Sequence, residues 1–228
     1  MSPPERPLKL GELLAETVSI YGNRIRAAIG LGLVYAGGLL LAGIVHVAVY
    51  YVVTAIMFTM ASGVAVRLVA GDTFREAWAQ VLVRFPVILL LAAVVGLPFA
   101  LAGYLSLLFI LVAFWLGLTV FAVPAAMVEQ TRASGGTFQV ATYALERTLA
   151  LSKVDYLHAT GVVAALLIVN VLFGILLAGL LISFADNATR IAIAIVQVVL
   201  APFFFLGLSV LYFEQRARAA VSSGREPA

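Results

Sequence analysis

The sequence predicts an all-α integral membrane protein: six transmembrane helices as three hairpins, each preceded by a cytoplasmic amphipathic interfacial helix, with both termini inside. Three observations carry that prediction. Of 228 residues, 64% are hydrophobic and 11% charged, at a mean hydropathy of +1.12, whereas a soluble domain carries about 25% charged residues. The charged residues are confined to short segments between long uncharged runs. Thirteen of the fourteen Lys and Arg residues then fall on one side of the barrier, leaving only Arg190 on the other.

No charge occurs from Ala27 to Val66, and at roughly 20 apolar residues per crossing that run holds two helices joined by a tight turn. The expected spans are residues 27–48 and 49–69. The uncharged run between Arg84 and Glu129 holds a second pair, 86–103 and 105–127, with Pro98, Gly103 and Tyr104 marking the turn. A third pair, 158–183 and 190–213, is separated by the polar loop "ADNATR", and residues 219–228 read as a flexible tail. The first apolar run follows more than twenty polar and amphipathic residues and is too long for a signal-peptide h-region, so the first span is expected to stay uncleaved.

Orientation follows from the basic residues. Arg6, Lys9, Arg24 and Arg26 precede the first span, while Arg67, Arg75 and Arg84 separate the second from the third. Arg132, Arg147 and Lys153 separate the fourth from the fifth, and Arg216, Arg218 and Arg225 follow the sixth. The positive-inside rule makes that side cytoplasmic. Tyr50, Tyr51 and Tyr104 are then expected as outer anchors and Tyr21, Tyr156 and Tyr212 as inner ones.

The segment "GDTFREAWAQVLVRFP" is a short amphipathic helix. Phe74, Ala77, Trp78, Val81, Leu82 and Phe85 recur at helical spacing, with Arg75, Glu76, Gln80 and Arg84 off that face. Thr73 with Glu76 three residues later matches a capping box, and Gly71 lets the chain turn. It is too short to span and too charged to bury, so it is expected at the cytoplasmic interface with Trp78 as its anchor. Leu10, Leu13, Leu14, Thr17, Val18 and Tyr21 make a similar face, as do Phe138, Ala141, Leu145 and Leu149. Gly11, Gly71 and Gly135 align, as do Glu16 with Glu76 and Arg24 with Arg84, whereas the third copy departs at Val140 and Thr148. These suggest three degenerate repeats, about 8–70, 71–128 and 129–218, within one membrane domain; chance alignment of short amphipathic linkers is the alternative.

The segments Phe121 to Val163 and Leu211 to Ala220 resemble the membrane domain that accompanies glycerophosphoryl diester phosphodiesterases, and related bacterial inner-membrane proteins without an enzyme domain. In that group a span ends in an acidic residue, and an "Ala-Leu-x-Arg-Ser-Trp" helix precedes the next span. Glu129, Ala144, Leu145 and Arg147 occupy the matching positions, with Thr148 and Leu149 in place of Ser and Trp. Tyr212, Glu214, Arg216 and Arg218 match the ending, a tyrosine, an acid and paired arginines. The resemblance implies a non-catalytic six-span membrane domain; phosphodiesterase chemistry belongs to a separate soluble domain.

The chain contains no cysteine, and its two histidines, His46 and His158, are expected at opposite faces. Catalytic, cofactor and metal sites are therefore not expected, and no Gly-rich phosphate loop or HExxH helix occurs. A membrane-embedded hydrolase would need a buried His or acid cluster. Carboxylates at span ends are costly unless paired. Arg84, Glu129, Arg132, Arg147, Glu214, Arg216 and Arg218 are accordingly candidates for an ion-pair layer holding the interfacial helices to the bundle, with independent snorkelling as the alternative. Within the bilayer, Asn170 and Gln197 are the most polar groups and are expected to form interhelical contacts. Ala28, Gly32 and Ala36 form a small-residue stripe, and Pro98 and Pro202 should kink or end their spans.

The expected role is a non-catalytic lipid-contacting scaffold or accessory subunit of the bacterial cell envelope. Membrane lipids with anionic head groups, and other membrane proteins, are the expected partners; nucleic acid is not. A small-solute permease or lipid-translocating protein is the alternative, and would need a polar path between the third and sixth spans.

Overall fold

The computed structural model describes residue 4 and residues 6–102, 109–129, 136–182 and 189–223, among which helices predominate and no strand occurs. The helices are α1 (Leu10–Asn23), α2 (Ile25–Val45), α3 (Val47–Val69), α4 (Phe74–Val83) and α5 (Phe85–Leu91). A π-helical segment (Ala92–Gly96) joins α5 to α6 (Leu97–Ala102). Then come α7 (Phe109–Thr119), α8 (Ala122–Val128), α9 (Thr137–Ser152), α10 (Tyr156–Ile182) and α11 (Thr189–Ser222). Five helical stretches are long and apolar enough to cross a membrane: Ile25–Ala42, Val47–Val69, Leu111–Val128, Tyr156–Leu177 and Ile193–Ser222. A sixth arises if α4 and the helix after it, bent by 76°, count as one broken span. The expected turn at Gly103 and Tyr104, the alignment of Gly135 and most of the "ADNATR" loop lie outside the described residues. α11 continues through residues 219–222, which the sequence reading placed in a flexible tail.

Pro98 and Pro202 lie within helix rather than at its end, and a neighbouring helix meets the carbonyl that each leaves without its usual donor. Pro98 has no N–H to offer the carbonyl four residues earlier. That carbonyl, on Val94, accepts a 3.0 Å hydrogen bond from Trp115 Nε1 instead. The widened turn before it is π-helical, with Leu97 N–H donating to Ala92 O. Pro202 lies inside α11 and frees the Val198 carbonyl in the same way. Gly32 of α2 is seated directly against it: a Cβ at position 32 would stand 2.0 Å from Val198 O. Ala28 and Ala36, one turn to either side, are buried, so the small-residue stripe is the surface by which α2 meets α11.

In α9 and α4 the most deeply buried residues are mostly small, whereas α1 buries Leu13, Thr17 and Ile20. In α9 the buried residues are Ala141, Ala144, Thr148, Leu151 and Ser152, while Phe138 and Leu149 are exposed. In α4, Ala77 and Val81 pack inward and Leu82 is exposed. Small residues allow close helix approach, and large apolar ones are left on the outer surface. α1 lies lengthwise along α11: Leu8 reaches Glu214 at one end and Tyr21 reaches Val199 at the other. Those two α11 positions are about 22 Å apart along the helix.

At the turn after α3, Gly71 adopts φ +113°, as expected, and Thr73 and Glu76 form the capping box. Gly11, by contrast, sits in the first turn of α1, where no such backbone is needed.

Candidate functional site: two polar knots and a cavity

The predicted polar layer resolves into two knots on opposite sides of α11. Positions 212 and 216 share one face, and positions 214 and 218 lie about 200° around the helix.

The first knot centres on Glu129, just past the end of α8. Arg147 Nε of α9 donates to both its carboxylate oxygens, at 2.9 and 3.0 Å. Tyr143, one turn earlier on α9, donates at 2.8 Å, and Tyr212 of α11 at 3.0 Å. Arg216 stands 3.7 Å away and lies over the rings of Tyr212 and Phe213. Tyr212 is wholly buried, so its placement among the interface anchors is corrected: its hydroxyl serves Glu129, not the head-group region. Burial alone would raise the Glu129 carboxyl. The hydrogen bond from Tyr143, the charge and hydrogen bond of Arg147 and the hydrogen bond from Tyr212 outweigh burial and hold it below the usual carboxylate range.

That shift fixes the sign of a pH effect. A carboxyl held low in the folded state contributes stability that is complete above its unfolded pKa, about 4.3, and is lost as pH falls through the folded value. Thermal unfolding in detergent should therefore show a steeper acid loss in the native chain than in Glu129→Gln. Parallel acid limbs would contradict this assignment.

The second knot centres on Glu214, whose side chain is fully buried. Arg218, one turn on, donates to Glu214 Oε1, and also to Asp155 Oδ2 at 3.2 Å and to Leu8 O at 3.0 Å. Leu8 N–H and Gln215 Nε2 donate to Glu214 at 3.4 and 3.1 Å, and His158 Nε2 stands 3.6 Å from it. Asp155 also caps α10, accepting from His158 N–H at 3.1 Å. The buried acid and histidine missed in the sequence are therefore here. They were missed because Asp155 and His158 meet Glu214 only through the fold, although the cap spacing from Asp155 to His158 is a legible signal. Among the described residues no serine or threonine hydroxyl hydrogen-bonds to His158 or Glu214, and the cluster ties the chain before α1 and the start of α10 to α11.

Arg84 joins neither knot. It donates to the carbonyl of Ala126 in the last turn of α8, where a cation meets unpaired carbonyls and the negative end of the helix dipole. Arg24 instead donates to Asp72 O, in the turn between α3 and α4, at 2.7 Å, while Arg67 in the last turn of α3 pairs with the Asp72 carboxylate at 2.6 Å. Arg132 lies outside the described residues. Trp78 is half-buried on α4 and meets Phe74 edge to face.

At the other end of the bundle, away from the knots, is a partly open cavity of about 320 Å³. Asn170 and Gln197 both line it, together with Tyr35, Tyr50, Tyr51 and Thr54. Their meeting is looser than a direct contact: Asn170 Nδ2 reaches Leu200 O at 3.5 Å, and no described residue hydrogen-bonds to Gln197. Phe204 and Phe205, stacked with Phe58, close it toward the charged end. Among the described residues no group of three or more His, Asp or Glu could hold a metal ion.

Comparison of the chain with family models, with curated proteins and with solved structures finds no match.

Proposed function

We propose that the chain is a non-catalytic, multi-pass scaffold or accessory protein of a bacterial inner membrane, with both termini cytoplasmic and membrane lipids as its principal contacts. The observation that carries this reading is how the acidic groups at the charged end are used. Glu129 and Asp155 bond to residues from other helices, and Glu214 bonds to Arg218 of its own helix and to the Leu8 N–H ahead of α1, so the polar chemistry there is spent on holding the bundle together. The residues matching the phosphodiesterase-associated membrane domain, Glu129, Arg147, Tyr212, Glu214 and Arg218, are members of these knots, which fits a resemblance in architecture. The bonds of Arg24 to the Asp72 carbonyl in the turn after α3, and of Arg84 to the Ala126 carbonyl in the last turn of α8, support a repeated hairpin plan, each arginine fastening the end of one amphipathic helix to the chain where a second span ends. Exposed apolar residues such as Leu33, Leu41, Leu172 and Leu176 supply the lipid-facing surface.

The cavity favours a second reading, a solute permease or lipid translocator, for which it would be one end of a path. The aromatic floor formed by Phe58, Phe204 and Phe205 weighs against that. Proteoliposomes decide between them. They should neither release an entrapped small solute nor exchange a fluorescent phospholipid between leaflets faster than protein-free vesicles; a protein-dependent rate would replace the scaffold reading. In a Trp115→Phe background, Trp78 emission should be quenched by lipid-borne quenchers, whereas a fully water-exposed spectrum would contradict an interfacial α4.

A further inference from the structure

We propose that the cavity lined by α2, α3, α6, α7, α10 and α11 is a binding site for one uncharged amphiphile: an aliphatic chain bearing a hydroxyl or ester head, of the monoacylglycerol class. The inference goes beyond the scaffold reading and deepens it by naming a ligand.

Three features specify the occupant. The first is size: about 320 Å³ is at the lower end of the roughly 300–1,000 Å³ found for small-ligand sites. The second is the chemistry of the wall. Its polar groups are hydroxyls and amides, those of Tyr35, Tyr50, Tyr51, Thr54, Asn170 and Gln197, and among the described residues none that lines it is charged. A phosphate or carboxylate head would enter without a counter-charge and lose its hydration, whereas a neutral hydroxyl or ester would find donors and acceptors already in place. Leu39, Val112, Leu167 and Ala201 make the remaining wall apolar, which suits the chain.

The third feature is a pair of polar groups that open into the cavity. Tyr35 is 5% exposed, its ring packed edge-on against Phe205, yet no described residue hydrogen-bonds to its hydroxyl. Gln197 is half-buried and likewise lacks a hydrogen bond from the described residues. Polar groups in a membrane-spanning bundle ordinarily find partners. Here two of them border the same space, and a ligand head seated there completes them.

The test uses the full chain in vesicles of zwitterionic phospholipid. The probe is a monoacylglycerol carrying a diazirine in its chain, with a diazirine fatty acid as the anionic comparison. The neutral probe should label cavity-lining residues saturably, with competition by unlabelled monoacylglycerol, and the fatty acid at pH 8 should not. Tyr35→Phe keeps the ring and its packing but removes the hydroxyl, and should weaken labelling about tenfold, the effect of losing one good hydrogen bond. Val171→Trp, at a more exposed wall position, should block labelling without disturbing the core.

Non-saturable labelling spread over the lipid-facing surface would overturn the proposal, as would equal labelling by the fatty acid, or labelling unchanged in both variants. A cavity occupied by water alone would give no saturable labelling and also refute it. Lipid exchange in proteoliposomes would refute the scaffold reading and leave these labelling results standing, so the two failures are distinguishable.

Discussion

Gly32→Val should leave little folded protein in the membrane. The substituted Cβ would stand 2.0 Å from Val198 O, with Val198 C and Cα at 2.7 and 2.8 Å, so every obstructing atom is backbone and none can rotate away. α2 and α11 would have to separate along their whole contact. Ordinary overpacking costs about 1–3 kcal/mol, and a rigid backbone obstacle puts this substitution at or beyond the upper end. Gly37 is the internal control: on the same helix, a Cβ there meets nothing within 4 Å. Gly37→Ala should therefore not destabilise the protein and should stabilise it by up to about 1 kcal/mol. Size-exclusion profiles and thermal unfolding in mild detergent read both; a Gly32→Val chain that elutes and melts like the native one would refute the close α2–α11 contact.

Arg218→Ala should be the most damaging single change in the polar knots. Arg218 is the cation bonded to Glu214, a carboxylate with no exposure, and it also holds Asp155 and the Leu8 carbonyl. Removing it leaves a buried charge short of its partner, which costs about 3–5 kcal/mol in comparable sites. Arg216→Ala is the contrast. That side chain is 36% exposed and 3.7 Å from Glu129, which Arg147 already neutralises, so the loss should be about 0–1 kcal/mol. Glu214→Gln combined with Arg218→Met removes both charges and should recover much of the stability lost in Arg218→Ala. Equal losses for Arg216→Ala and Arg218→Ala would mean that the two knots are not distinct.

The apolar runs made the helices legible, because a chain without charges over forty residues has few alternatives to crossing a membrane. Glu129 and Glu214 were legible as well, since an acid at the end of an apolar run needs a partner. What could not be read was the partner's identity. Arg84 meets a carbonyl, a group every residue carries and no sequence distinguishes. Tyr143 is one turn from Arg147, but only the fold brings Tyr212 to the same carboxylate from 83 residues away. Which side of α9 meets protein follows a different rule. Hydrophobicity ranks Phe138 above Ala141, but beside lipid both surroundings are apolar, and closeness of approach decides which side meets protein. Asn170 and Gln197 were recognised as the polar residues of the interior, though the cavity they border depends on six helices at once.

The opposed knots also determine how α11 can move. A rod gripped on one side can roll about its axis, but one gripped on two sides 200° apart cannot do so without tearing a grip. Gln197 is about 25 Å along the same helix from Glu214, and its aim into the cavity depends on the rotational setting of that rod. Ion pairs at one end of the protein thus set the angle at which an amide is presented at the other. Torsional stiffness, rather than any contact between the two regions, connects them.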